Sequence, residues 1–492
     1  MRKERFRRAL AEEPSECWVE DHVIALQEGK PCELPEGAKY DSLCTLVSKA
    51  SPALSNLSIR LSQSLSLIDR DEPIRAQVSC DEEKRLISFQ SQGVASPTGL
   101  FTFNPDSSNV FTIAVYPKIF EYKPLRGLGA LVYMIERVIA SRTNIREVYL
   151  TELLAGSSNL LDVWMRIIYI LYIKLLKQEL LKGAYYEYTR VIRNGPKVSG
   201  KILISRQFRR PILGKPSIIQ ESHPYTIDNT LNRVLKYAAT IAYDNLIQPG
   251  GIAREAREVL SLLSEVELDP SSVWRRVEFN RLNTRFENIY YVALLIILAH
   301  GIPGERTLNG LLIDMNKLFE LYIYSILKEG LRNWQAEYQT GLDFARIYRG
   351  IDRWTSKSIE QHPDILLRSR LNDQCIVLDT KYSQLGSIED IRTDDLRQIF
   401  TYHTLLENLG KRGCIKKNVY SALLYLAKDV AEDSYVRNIY GTYNAVARQN
   451  CFKIILLSPE FILKAAEKIP LHANIEKKIV EGIVDLTGCV GL

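Results

Sequence analysis

Three residues of one segment carry side chains that could hydrolyse a phosphodiester. The segment reads HPDILLRSRLNDQCIVLDTKY (362–382), and the three residues are Asp364, Asp379 and Lys381. Two neighbouring carboxylates repel each other unless a cation lies between them, and hard oxygen ligands with room for water suit Mg²⁺, with Mn²⁺ as an alternative. A lysine beside such a metal can orient or deprotonate an attacking water and offset charge on phosphorus. The residue types therefore predict a magnesium-dependent phosphodiesterase site.

The spacing of these residues predicts that they converge. If residues 372–373 form a two-residue hairpin turn, Leu366 pairs with Asp379 and Asp364 pairs with Lys381. Opposed residues, and residues two apart in one strand, share one side of a sheet. All three polar side chains are then expected on the same side of the hairpin.

Two predicted helices could add side chains to this site. Apolar residues recur at helical spacing from Leu308 to Leu331, and Glu320 on the flank of that helix could be a third acid. Gln398 and Tyr402 are four residues apart, so they project from one face of a predicted helix Asp394–Leu409. The complete pattern is Glu, Pro-Asp, Asp-x-Lys and Gln-x-x-x-Tyr.

This pattern resembles the PD-(D/E)xK nuclease superfamily, in the subgroup with a Gln-x-x-x-Tyr helix that is also seen in RecB-type nucleases. More specifically, the chain resembles the McrC family, the nuclease subunit of the McrBC modification-dependent restriction system. The segments that support this resemblance are Val115–Ile119, Gly200–Ile202, Asp228–Arg233, Phe279–Asn283, Ile313–Glu320 and Leu378–Tyr382.

The resemblance implies a role for each residue of the pattern. Lys381 would be the catalytic lysine, and Gln398 and Tyr402 would organise the site or contact DNA. Glu320 would complete the metal shell or order it through water. The implied metal ligands are Asp364, Asp379, the carbonyl of Thr380 and Glu320.

The resemblance also implies partners. In this family a β-rich N-terminal region docks into a GTP-hydrolysing AAA+ ring of the McrB type and stimulates it. The ring subunits recognise methylated DNA of the 5-methylcytosine type and translocate. We therefore expect a DNA endonuclease subunit that cleaves double-stranded DNA when assembled with such a ring. Basic residues just after the Gln-x-x-x-Tyr helix are candidates for phosphate contacts, namely Lys411, Arg412, Lys416 and Lys417.

Length and patterning predict a multidomain α/β fold. The chain has 492 residues, of which 46% are hydrophobic and 25% charged, as in ordinary globular proteins with more than one domain. We expect a β-rich partner-docking domain over 1–122 and a mainly helical domain with a small β interruption over 123–304. The nuclease domain, with a mixed central sheet flanked by helices, would span 305–492.

Several other classes of protein are disfavoured. The apolar stretch Leu160–Leu181 contains five charged residues and no signal peptide opens the chain, so we expect a cytoplasmic protein without membrane contact. The eight cysteines show no zinc-ligand spacing and are predicted to be reduced and buried. The stretch Gly195–Ile202 nearly matches a phosphate-binding loop, but Ile202 replaces the required Ser or Thr. A turn into a strand is expected there, and no nucleotide bound by this chain.

Simpler interpretations remain open at this point. Acids and lysines end many strands, Glu320 could lie on a solvated helix face, and Gln398 and Tyr402 could serve helix packing. Two other functions also fit the sequence. The chain could be a self-sufficient repair or structure-specific nuclease, or a catalytically lapsed adaptor that activates an AAA+ GTPase.

Overall fold

The computed structural model shows a mixed α/β chain. The residues that it describes are 17–20, 23–34, 36–50, 53, 59, 62–63, 73–103, 111–118, 130–131, 133–135, 137–138, 160–207, 217–246, 251–271, 277–299, 308–348, 356–371, 374–409, 419–427, 430, 435–443, 450–467 and 472–485. They group into two compact units, Met1–Leu161 with Glu305–Leu492, and Asp162–Gly304. The predicted division at residues 122 and 304 into three functional domains stays a prediction.

The N-terminal part of the first unit is rich in strands, as the alternating pattern predicted. In chain order its elements are β1 (Cys17–Glu20), β2 (Val23–Gln27), β3 (Cys32–Glu33), α1 (Ala38–Ala50), β4 (Arg75–Asp81), β5 (Leu86–Gln92), β6 (Pro97–Phe103) and β7 (Phe111–Tyr116). Strands β3, β5 and β4 form one sheet, and β1, β2, β7 and β6 belong to a second. Alternate residues such as Val78, Ile87, Phe101 and Ile113 are buried in a shared core.

A disulfide bond between Cys44 and Cys80 joins α1 to β4 within this core. Their Cα atoms are 5.3 Å apart, although 36 residues separate them in the sequence. Cys32, Cys375 and Cys451 are disulfide-bonded as well. The prediction that the cysteines are reduced was therefore wrong for these residues, because pairing across distant elements leaves no spacing signal in the sequence.

The second compact unit is mainly helical. Its elements are α2 (Leu160–Leu181), β8 (Glu187–Tyr188), β9 (Val191–Gly195), β10 (Lys201–Ile202), α3 (Ile204–Gln207), β11 (Ile218–Ser222), β12 (Tyr225–Thr226), α4 (Thr230–Asn245), α5 (Gly251–Leu262) and α6 (Glu287–Ala299). Residues 196–200 form a turn into β10, as predicted. The sequence pattern predicts a strand over residues 201–205, but β10 ends at Ile202 because α3 begins at Ile204.

The predicted helix over 308–331 is two elements. Residues Leu308–Asp314 form β13, which pairs antiparallel with β6 and completes the five-stranded sheet β1-β2-β7-β6-β13. The helix α7 begins only at Met315 and ends at Gly330. Asp314 ends the strand and caps the helix, since its side chain accepts a hydrogen bond from the Asn316 N–H at 2.9 Å. A short apolar run fits both periods, which is why the prediction was wrong over 308–314.

The C-terminal part contains a six-stranded mixed sheet. After α7 come β14 (Trp334–Tyr338), β15 (Leu342–Tyr348), β16 (Ser356–Gln361), β17 (Ile365–Ser369), β18 (Cys375–Leu385), α8 (Thr393–Leu409), β19 (Val419–Ala427), β20 (Val436–Tyr443), β21 (Asn450–Leu457), α9 (Glu460–Glu467) and α10 (His472–Val484). The sheet order is β14-β17-β18-β19-β21-β20, and β15 pairs with β16 in a separate ribbon. The predicted strands and helix near the site are present, whereas β14, β15, β16 and β20 were not predicted.

The register of the hairpin β17–β18 differs from the prediction by two residues. Leu366 pairs with Val377 rather than with Asp379. Continued by one residue beyond the pair Ile365–Leu378, the same register sets Asp364 opposite Asp379, so the predicted pairing of Asp364 with Lys381 was wrong. The connecting loop is longer than two residues, because the Ser369 N–H already donates to the Gln374 carbonyl at 2.9 Å. Residues 372–373, where the turn was predicted, lie outside the described residues.

No helix within the described ranges is long and apolar enough to span a bilayer.

Candidate active site

The sheet and α8 together position the polar residues of β18. Strand residues alternate between the two faces, so Val377, Asp379 and Lys381 share one face. Val377 packs in a core cluster with Ile399 and Tyr402 of α8. The face of β18 that carries Asp379 and Lys381 is therefore the face covered by α8.

The amine of Lys381 lies among three oxygen-bearing side chains. Its Nζ is 2.6 Å from Asp379 Oδ2 and 3.7 Å from Asp395 Oδ1. It also donates a 2.8 Å hydrogen bond to Gln398 Oε1. The lysine is thus held by its own strand on one side and by α8 on the other.

Gln398 and Tyr402 form a chain of hydrogen bonds on one face of α8. The Gln398 Nε2 donates to the Tyr402 hydroxyl at 2.8 Å, and that hydroxyl donates to the His362 carbonyl at 3.3 Å. The predicted i, i+4 relationship therefore brings Gln398 to Lys381 and Tyr402 to the segment that leads into Asp364.

Asp364 is fixed against the next strand by Thr380. Its Oδ2 accepts hydrogen bonds from the Thr380 N–H at 2.6 Å and from the Thr380 hydroxyl at 2.9 Å. The main-chain carbonyl of Asp364 accepts from the Gln339 N–H at 2.9 Å. Asp364 is therefore anchored at the end of β17, next to Asp379.

Glu320 reaches the same region from α7. It is only 8% exposed, and its Oε1 accepts a 3.0 Å hydrogen bond from Gln339 Nε2. Gln339 also contacts Asp364 through its main chain, so one residue links the two acids. Glu320 does not lie on a solvated helix face.

The carboxylates of the site influence one another. Burial and the Asp364 carboxylate raise the pKa of Asp379 to about 7 and that of Glu320 to about 8. Burial raises the pKa of Asp364 as well, although the Thr380 hydrogen bonds oppose this change. Burial would lower the pKa of Lys381, but Asp379, Asp395 and Asp364 outweigh it and raise that pKa above its usual value.

A buried acid that the motif did not include also faces the lysine. The sequence around Thr393, Asp394 and Asp395 predicts only a helix start. In the structure the Asp395 side chain is 5% exposed and faces Lys381. The Tyr425 hydroxyl donates to Asp395 Oδ2 at 2.6 Å, and Arg392 Nε lies 3.2 Å from the same oxygen. Its position three residues before Gln398, on the same helix face, is the signal that could have identified it.

The donors present suit a small divalent cation. Across the described ranges no group of three or more His, Cys, Asp or Glu side chains is arranged to hold a metal ion. Mg²⁺ is commonly held by one or two carboxylates and several waters, so the pair Asp364 and Asp379 is sufficient. Burial raises the pKa of both acids, and the Asp364 carboxylate raises that of Asp379 further; a bound cation would favour the charged form of each.

The predicted phosphate contacts of the basic residues after α8 stay predictions. The basic residues Lys411, Arg412, Lys416 and Lys417 lie outside the described residues.

Comparisons with known proteins agree with one another. Residues 105–414 match the family described as McrBC 5-methylcytosine restriction system component. A refined half-complex from a tetradecameric assembly of Thermococcus gammatolerans McrB AAA+ hexamers with bound McrC aligns with a TM-score of 0.51 and 18% identity, over 94% of this chain and 100% of that chain. A cryo-EM structure of the Thermococcus gammatolerans McrBC complex aligns with a TM-score of 0.32 and 22% identity, over 64% and 89%. The first of these shows a shared fold. Among curated proteins, none matches the sequence.

Proposed function

The chain belongs to the family of McrBC 5-methylcytosine restriction system components, and we propose that it is the subunit that cuts DNA. The activity would be metal-dependent hydrolysis of phosphodiester bonds in double-stranded DNA. This proposal agrees with the PD-(D/E)xK pattern that the sequence contains.

One observation carries the proposal, namely the amine of Lys381 at 2.6 Å from the buried carboxylate of Asp379, on the strand next to Asp364. A buried ionic cluster is costly to maintain and is weak evidence for stability alone. Buried carboxylates with raised pKa values beside a lysine are typical of functional sites. The catalytically lapsed adaptor is disfavoured, because every residue of the pattern is present.

Asp364 and Asp379 would hold the magnesium ion, and the carbonyl of Thr380 and Glu320 are the further candidates. Bound there, the ion would supply Lewis-acid polarisation of a phosphate oxygen and a more acidic water. Glu320, linked to Asp364 through Gln339, would keep that acid in position or contact ordered water.

Lys381 would act by its charge. Because the surrounding acids raise the pKa of Lys381, the amine is protonated at neutral pH in the metal-free protein. A protonated amine donates hydrogen bonds to an attacking water or to a phosphate oxygen, and it offsets the negative charge that develops there. Gln398 would direct the amine, and Tyr402 would direct Gln398.

An AAA+ ring of the McrB type would be the partner. The Thermococcus gammatolerans assembly with this fold is described as McrB AAA+ hexamers with bound McrC. For the present chain we propose the same kind of assembly, with cleavage dependent on GTP hydrolysis by the ring and on modified cytosine in the DNA. The region 1–122 would be the docking domain.

The decisive experiment is a cleavage assay with methylated and unmethylated plasmid and Mg²⁺. The purified chain is tested alone and with the AAA+ GTPase encoded beside it plus GTP. Cutting of methylated plasmid only with both additions supports the proposal. Cutting by the chain alone supports a self-sufficient nuclease, and stimulated GTP hydrolysis without cutting supports an adaptor.

Two variants connect the activity to the site. Lys381→Ala and Asp379→Asn should abolish cutting while the chain still stimulates GTP hydrolysis by the ring. The control is Lys477→Ala, which removes a lysine whose side chain is 72% exposed on α10. Retained cutting by Lys381→Ala would remove the assignment of the site.

A further inference from the structure

Asp395 occupies a position that the motif does not explain. A carboxylate in the first turn of a helix is usually exposed, where it interacts with the helix dipole. Asp394 behaves in this way, with its side chain 89% exposed. Asp395, the next residue, is 5% exposed and points at the amine of Lys381 at an ion-pair distance of 3.7 Å.

The Asp395 carboxylate is itself held in place. The Tyr425 hydroxyl donates to its Oδ2 at 2.6 Å. Tyr425 is the residue of β19 that pairs with Lys381 of β18, so the tyrosine and the lysine meet the same carboxylate from adjacent strands. Arg392 completes the set with its Nε at 3.2 Å from Oδ2 and its Nη2 at 3.3 Å from Oδ1. This is a built contact, because groups from β18, from β19 and from the residue directly before α8 converge on one side chain.

The amine of Lys381 needs an anchor other than Asp379. Asp379 is a candidate metal ligand, and oxygens that coordinate a cation are less available to an ammonium group. Gln398 offers a neutral oxygen at 2.8 Å, which fixes direction but supplies no charge. Asp395 supplies charge and is not among the proposed metal ligands, and Tyr425 and Arg392 hold its two oxygens in place while further lone pairs face Lys381.

We propose that Asp395, braced by Tyr425, is a positioning residue that keeps the Lys381 amine in the active site while Asp379 serves the metal. This inference rests on the proposed nuclease function. It predicts that the loss of Asp395 displaces the lysine without removing any group that contacts the metal.

The first test is made on the full-length chain in Mg²⁺ without DNA, so that Asp379 can serve the metal, and it needs no activity. Lysines are labelled with a limiting amount of an amine-reactive reagent, and the labelling of Lys381 is measured by mass spectrometry relative to the exposed Lys477. In Asp395→Asn the relative labelling of Lys381 should rise about fivefold, because the amine loses an ion pair. The matched control is Asp394→Asn, which removes the same charge from the same helix turn but does not face Lys381. Unchanged labelling in Asp395→Asn would overturn the proposal.

The second test uses the chain assembled with its AAA+ ring, GTP, Mg²⁺ and methylated DNA. In Asp395→Asn the kcat for cutting should fall about 10- to 100-fold, as for other supporting groups of metal sites, with KM for DNA and GTP hydrolysis unchanged. Tyr425→Phe should show a smaller loss in the same direction, and Asp395→Glu should restore part of the kcat. A fall in GTP hydrolysis together with kcat would indicate misfolding or failed assembly and would contradict a positioning role.

The two proposals fail in different ways. If the wild-type complex does not cut, the nuclease function is wrong, whereas the labelling result still reports on the Lys381 contact. If the wild type cuts and Asp395→Asn cuts equally well, the nuclease function stands and the positioning role is wrong.

Discussion

The amide oxygen of Gln398 accepts a hydrogen bond of 2.8 Å from the amine of Lys381. This contact joins α8 to β18 at the point where the acids converge. The same amide donates to the Tyr402 hydroxyl, so its orientation is fixed with oxygen toward the lysine and nitrogen toward the tyrosine. The Gln-x-x-x-Tyr helix therefore fixes the position of the Lys381 amine through Gln398.

Replacing Gln398 should impair cutting without affecting assembly. Gln398→Leu keeps the approximate volume but removes both hydrogen bonds, and we expect the cleavage rate to fall about 10- to 100-fold. The control is Arg397→Ala, because that neighbour is 75% exposed on the same helix. Rates are measured with the ring and GTP on methylated plasmid. Equal losses for the two variants would show that Gln398 only maintains the helix.

The acids of the site should make the metal-free protein less stable as pH rises. Burial and the Asp364 carboxylate raise the pKa of Glu320 from 4.5 to about 8. Its stabilising contribution is therefore fully present below pH 4.5 and is lost as pH rises through about 8. The free energy of unfolding should fall by at most about 1.4 kcal/mol per pH unit for one such group. Glu320→Gln should flatten this slope in urea unfolding measured in chelator between about pH 5 and about pH 8. An equal slope in both proteins would contradict the prediction.

Magnesium should restore the stability that the protein loses when the carboxylates of the site ionise. A cation that binds only the folded protein stabilises it, and it competes with protons for the same carboxylates. Mg²⁺ should therefore raise the unfolding midpoint of the wild type more at about pH 8 than at about pH 5. Asp379→Asn, which lacks one proposed ligand, should gain little at either pH. A similar gain in both proteins would place the bound ion elsewhere.

The sequence predicted which residues lie together at the site better than it predicted the register of the strands that carry them. The hairpin register was wrong by two residues, yet Asp364, Asp379 and Lys381 keep a common side, because side chains along a strand alternate with a period of two. The period-two signal is local and strong in β17 and β18. The length of the turn that sets the register carries a weaker signal.

Contacts between residues far apart in the chain could not be predicted from the sequence pattern. Tyr425 reaches Asp395 only because β19 lies beside β18, and the Cys44–Cys80 bond depends on how α1 packs on β4. The strand β13 was predicted as helix, since its apolar residues satisfy both periods. Its true partner, β6, lies about 200 residues earlier in the chain.

A buried ion pair should stabilise the position of α7, the helix that carries Glu320. Arg137 contacts Glu476 of α10 through two hydrogen bonds of 3.0 and 2.7 Å, and it contacts Glu329 of α7 at 2.9 Å. Tyr133 also donates to Glu476, at 2.7 Å. Glu476→Ala leaves a buried arginine with a weaker partner and should lower the free energy of unfolding by about 3 kcal/mol.

The double variant Arg137→Met with Glu476→Met is the informative comparison for this pair. Without an uncompensated buried charge, its free energy of unfolding should lie closer to that of the wild type than that of Glu476→Ala. Urea unfolding of the three proteins measures the difference. If the double variant were the least stable, the ion pair would be a net source of stability rather than a source of specific packing.

Gly99 should be required for the junction between the N-terminal sheet and α7. It pairs with Leu312 of β13, and its φ of +150° lies where L side chains are rarely found. A Cβ at this position would also overlap the Leu311 carbonyl oxygen, which is main chain and cannot rotate away. Gly99→Ala should therefore lower the free energy of unfolding by about 1–3 kcal/mol. Because β13 leads directly into α7, Gly99→Ala should also reduce cutting more than expected from the stability loss.

Gly195→Ala is the matched control, since a Cβ there meets nothing within 4 Å. Equal stability of the two variants would show that β13 can shift away from β6 at no cost.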